Sequence, residues 1–157
     1  MTYPIEAVNE SYALLPPKMD SYWARVNQAA IGFQESQYLT RVQYGGGPAR
    51  GYWQFEEGGG VKGVMNHKAT ADLARAVCHA RGVPFVRRTV WEALATDDVL
   101  AAAFARLLMY TDPFPVPTTA AEGWTAYAKR LWRPGKPHMD KWESSWGFGL
   151  KVAAWYR

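Results

Sequence analysis

Three carboxylates stand where they could move protons. Glu35 lies in Phe33-Gln34-Glu35-Ser36-Gln37-Tyr38, and Glu56 and Glu57 end the run Gly51-Tyr52-Trp53-Gln54-Phe55-Glu56-Glu57. Glu35 precedes the pair by 21 and 22 positions. One carboxylic acid can protonate a leaving oxygen while a second group activates water, attacks as a nucleophile or steadies an oxocarbenium ion. That division of labour is what cleavage of a glycosidic bond requires. Spacing does not give the distance between the groups, so Glu56 and Glu57 both stand as candidates for the second role.

The elements around these residues must place them. Met19, Tyr22, Trp23, Val26, Ala30 and Phe33 recur at helical spacing and predict a helix over 18–35. Glu35 falls off that stripe, beside Ile31 at i−4 and Gly32 at i−3, with open space expected at the glycine. Apolar surroundings and a helix C-terminus both disfavour a negative charge, which raises a carboxyl pKa as a general acid needs. Residues 40–63 hold eight of the chain's 14 glycines and predict a small lobe, a short irregular hairpin or an ordered loop, around Gly45-Gly46-Gly47-Pro48. No phosphate-loop or dinucleotide pattern accompanies those glycines, so they suit close approach of backbone to a ligand in a groove wall.

The remainder reads as helical scaffold. Residues 1–18 look like an arm interrupted by Pro4, Pro16 and Pro17. A helix over 70–81 is expected with Thr70 as its cap, then a short turn at 89–95. Thr96 should cap an almost wholly apolar helix over 97–110, the centre of the bundle. Thr119-Ala120-Ala121-Glu122 is a capping box opening a helix to about 132, with Trp124, Tyr127, Ala128, Leu131 and Trp132 as its stripe. A last helix over 139–155 should turn Trp142, Trp146 and Leu150 inward. The fold class expected is mainly α (α+β), one domain over 1–157.

Composition narrows the partners. The 157 residues are 48% hydrophobic and 20% charged, enough for a packed core. The net charge of +4 suits an anionic polymer, but no long Lys/Arg run points to nucleic acid. One cysteine, Cys78, excludes an intrachain disulfide. No signal peptide and no membrane-spanning stretch are visible, so no membrane insertion is expected. His67, His79 and His138 lack metal-ligand spacing. No metal or other cofactor is implied, and a monomer is expected.

The order Glu35-Ser36 followed by Gly51-Tyr52-Trp53-Gln54 resembles the soluble lytic transglycosylase and goose-type lysozyme pattern, in which a Glu-Ser helix end precedes a Gly-Leu-Met-Gln-like motif. That resemblance implies a lysozyme-like domain with Glu35 as catalytic acid. Gln54 would line the groove, Glu56 would be the second acidic group, and Ser36 and Tyr52 would lie at the substrate. Here Tyr52-Trp53 replaces Leu-Met, and Tyr110 is the stand-in for the tyrosine of the family's third motif. The same stretch is similar to family 19 chitinases and related phage endolysins, where Glu57 would be the base and Gln34 replaces the usual histidine. Together the resemblances cover about residues 23–66. They imply cleavage of β-1,4 bonds in peptidoglycan strands by a phage-type protein made in the host cytoplasm and acting at the wall or carried in a virion. A phage structural or wall-binding protein without catalysis is the competing expectation.

Overall fold

The computed structural model describes residues 2–154, and those residues form a helical protein without a β-strand. The helices are α1 (Ile5–Ala13), α2 (Tyr22–Ser36), α3 (Lys62–Asn66), α4 (Ala71–Ala80), α5 (Arg87–Ala93), α6 (Asp98–Tyr110), α7 (Ala120–Trp124) and α8 (Trp142–Ala153). None is long and apolar enough to cross a membrane. Trp155, the expected end of the last helix, lies outside the described residues.

Two helices form the centre. In α6 every residue from Val99 to Met109 is buried, as its all-round apolar character predicts. Asp97, not Thr96, caps it, accepting a hydrogen bond from the Leu100 amide at 3.1 Å. In α2 the run from Ala24 to Gly32 is also buried on all sides, because α8 packs along one flank and α6 along another. Gly149 permits that approach: a Cβ there would fall on the Val26 carbonyl oxygen of α2.

Residues 1–18 are not an arm. Pro4 occupies the cap position of α1, where a missing N–H costs nothing, and Pro16 lies beyond its end, so a nine-residue helix fits between them. Val8 and Tyr12 bury its inner face on α6. Buried Gln28 of α2 then ties three elements together. Tyr12 Oη donates to its Oε1 at 2.8 Å, its Nε2 donates to the Ala102 carbonyl at 2.8 Å, and its own carbonyl accepts from Trp53 Nε1 at 2.8 Å.

Of the two forms expected for the glycine-rich lobe, the structure shows the ordered loop, not a hairpin of strands. Isolated antiparallel bridges pair Val42 with Arg50 and Arg50 with Phe55. Residues 89–95 belong to α5 and its end, not to a bare turn. Thr70 precedes α4, but its hydroxyl donates to the Val64 carbonyl at 2.7 Å and does not cap the helix. Thr119 does cap α7, accepting from the Glu122 amide at 3.2 Å. The helix then widens into a π-helical segment, Thr125–Leu131, before ending near Trp132. Trp142 and Trp146 are buried as expected, but Leu150 is 36% exposed, its place against α2 taken by Gly149.

Candidate active site

The last turn of α2 opens onto a cleft of about 500 Å³, and Glu35 lies in its wall. The chain leaves the helix through two consecutive left-handed residues, Gln37 (φ 53°) and Tyr38 (φ 56°). That reversal lays the Tyr38 ring back over Gly32, where a Cβ would collide with it, and lets Tyr38 Oη donate to the Ala29 carbonyl at 2.9 Å. The space expected beside Gly32 is therefore filled by an aromatic ring. Tyr52 and Trp53 meet Tyr38 edge-on, at ring centroids 5.4 and 5.7 Å away. One side of the acid's helix end is thus sealed from water.

The partner of Glu35 is Tyr127, whose phenol donates a short hydrogen bond to Glu35 Oε2. Tyr127 sits in the π-helical segment, whose wider turn lets the Trp132 amide donate to the Tyr127 carbonyl at 2.9 Å. Its ring stacks on Trp142 at 5.2 Å between centroids, nearly parallel, which fixes the phenol's direction. Burial pushes the Glu35 carboxyl up from 4.5 to about 7. The Tyr127 hydrogen bond opposes that rise, and the negative charge of Glu56 adds to it.

Gln54 reaches the same cleft from the tight turn after Gly51. Gly51 holds φ 77°, and a Cβ there would come within 2.8 Å of the Leu94 carbonyl oxygen. Gln54 itself is left-handed at φ 53°, and its Nε2 donates to the Gly51 carbonyl at 3.1 Å. Ser36 also lines the cleft, but its hydroxyl is committed to backbone: it donates to the Gly32 carbonyl at 3.2 Å and accepts from the Tyr38 amide at 3.1 Å. Gln34 braces the wall, donating from Nε2 to the His138 carbonyl at 3.0 Å and accepting from Ser145 Oγ of α8 at 2.6 Å.

The other sequence candidates lie elsewhere. Glu57 does not line the cleft; Arg87 and Arg88 hold its carboxylate at 3.4 and 3.0 Å. Glu56 is exposed and outside the lining, yet near enough for its charge to act on Glu35. Among the described residues no cation pairs with it. Tyr52 is buried beneath the Arg41 guanidinium, which lies 4.5 Å from its ring, so it supports the wall from behind. Tyr110 is not at the cleft: it ends α6 beside Lys18 and Arg106. The tyrosine that meets the acid is Tyr127, within Ala126-Tyr127-Ala128, which the sequence assigns only to a core stripe.

Cys78 is buried, and burial pushes its thiol up to about 11, which makes it an inert core side chain. No group of three or more His, Cys, Asp or Glu among the described residues is placed to hold a metal ion. Comparison with known protein families, curated proteins and solved structures finds no match for this chain.

Proposed function

We propose that this protein cleaves β-1,4 glycosidic bonds in bacterial peptidoglycan, with Glu35 as the general acid. The observation that carries the proposal is a single carboxyl, raised to about 7 and held by Tyr127 in the wall of a cleft of about 500 Å³. A carboxyl near that value is still about half protonated at neutral pH, yet acidic enough to release its proton in the transition state. A cleft of this size accommodates a few sugar units. The chain's net charge of +4 favours an anionic wall polymer.

With Glu57 tied to two arginines, no second carboxylate among the described residues lines the cleft. This favours the lytic transglycosylase form of the reaction. Glu35 gives its proton to the departing glycosidic oxygen, and the C1–O bond breaks. The substrate's N-acetyl group steadies C1, and its own 6-hydroxyl then bonds to C1. Glu35, now a carboxylate, takes the hydroxyl proton, so acid and product balance without water. Hydrolysis is the second form, favoured by the unpaired Glu56 near enough to act on Glu35. There water would supply the oxygen bonded to C1.

Incubation with purified peptidoglycan, followed by mass spectrometry of the soluble products, tests both. Anhydro-muramyl ends are expected. Reducing ends would turn attention to Glu56. No soluble product from folded protein would refute the proposal.

A further inference from the structure

Among the described residues the cleft is lined by one carboxylic acid, Glu35, and one lysine, Lys136, with no arginine. No carboxylate among them pairs with the Lys136 ammonium. A lone surface lysine is ordinarily a solvated charge on a flexible stem. Here the backbone that carries it is constrained. Arg133 turns the chain at φ 48°, and Pro134 and Pro137 fix φ on either side of Gly135-Lys136. The Gln34 hydrogen bonds to His138 and from Ser145 then pin the segment to the residue just before Glu35. The backbone that carries Lys136 is thus braced at the acid's own cleft. Beyond Lys136, Glu35 and the imidazole of His138, the cleft offers neutral groups, among them the amides of Gln37, Gln43 and Gln54 and the Tyr44 ring, 77% exposed. Those groups suit hydroxyls, N-acetyl groups and pyranose faces shared by every such glycan. They cannot distinguish a charged strand from a neutral one.

We propose that Lys136 is a specificity determinant that recognises a free carboxylate on the glycan, the lactyl carboxylate of muramic acid where no peptide caps it, so that the cleft favours peptide-free muramic-acid strands over a neutral N-acetylglucosamine polymer. This rests on the assignment of the cleft as a glycan site. The pair would be solvent-exposed, since Lys136 is exposed, so its effect on affinity is about two- to five-fold at low salt. Salt screens it, and arginine preserves its charge.

The test uses Glu35→Gln protein, which retains the cleft and cannot donate the proton. Its binding to a peptide-free muramic-acid-containing tetrasaccharide and to chitotetraose is measured by calorimetry. The carboxylate-bearing glycan should bind about two- to five-fold tighter in low salt. Adding Lys136→Gln should abolish that preference while leaving chitotetraose affinity unchanged, and adding Lys136→Arg should keep it. Equal affinity for the two glycans, a preference that survives Lys136→Gln, or binding of neither glycan would overturn the proposal. A Lys136-dependent preference in a wild-type protein that cleaves nothing would sink the proposed reaction and leave this recognition standing.

Discussion

Replacing Glu35 by glutamine should stabilise the protein at alkaline pH and do little at acid pH. The half-buried carboxyl binds its proton up to about 7, whereas in the unfolded chain it lets go near 4.5. Below about pH 4.5 the group is neutral in both states, and its contribution is fully present. As pH rises from 4.5 towards 7, only the unfolded chain releases the proton, so stability falls. Above about 7 both states are ionised and the loss is complete. At about 1.4 kcal/mol per pH unit, the gap corresponds to about 3 kcal/mol. Glutamine keeps the shape and can still accept from Tyr127, but it never ionises. Urea unfolding of both proteins at pH 4.5 and pH 8.5 should therefore show the variant's advantage growing by up to about 3 kcal/mol, roughly 6–12 °C in Tm for a chain of this size. Other carboxylates titrate in both proteins and drop out of the comparison. An advantage equal at the two pH values, or absent at pH 8.5, would refute the burial of a protonated Glu35.

Three further substitutions probe the site and its support. Tyr127→Phe removes a hydrogen bond that favours the Glu35 carboxylate, so the alkaline limb of the cleavage rate should move up by about one pH unit in a pH–rate profile. Glu57→Gln should keep cleavage within about two-fold of wild type, because its ion pairs with Arg87 and Arg88 lie outside the cleft, and should cost at most about 1 kcal/mol in denaturant unfolding. Gly149→Ala forces a methyl onto the Val26 carbonyl where α8 crosses α2, and should destabilise the protein by about 1–3 kcal/mol in the same assay.

The local elements were legible because their causes are local. The body of α2, which starts at Tyr22 and not at 18 and is buried all round rather than along one stripe, the all-apolar α6 and the Thr119 capping box follow from periodicity and cap chemistry. The helix α1 escaped because its prolines read as interruptions, although they fall at its cap and beyond its end. The raised pKa of Glu35 was legible in direction but not in full cause. Ile31 and Gly32 lie within one helical turn of it, whereas the covering ring of Tyr38 depends on two left-handed residues that no propensity marks. The hydrogen-bond partner was less accessible still. Tyr127 lies 92 residues away, and the π-helical turn that carries it is a tertiary outcome. The arginines that occupy Glu57 likewise come from α5, 30 and 31 positions on, beyond any motif. Short-range pattern therefore picked out Glu35 as a candidate, and long-range packing decided what surrounds it.

The most direct measurement is the release of soluble fragments from peptidoglycan by wild-type and Glu35→Gln protein, side by side from pH 5 to pH 9. Wild type should release fragments at a rate that falls above about pH 7, while the variant binds the polymer and releases them at least about a hundred-fold more slowly. Release by the variant at the wild-type rate would contradict the assignment of Glu35 as the proton donor.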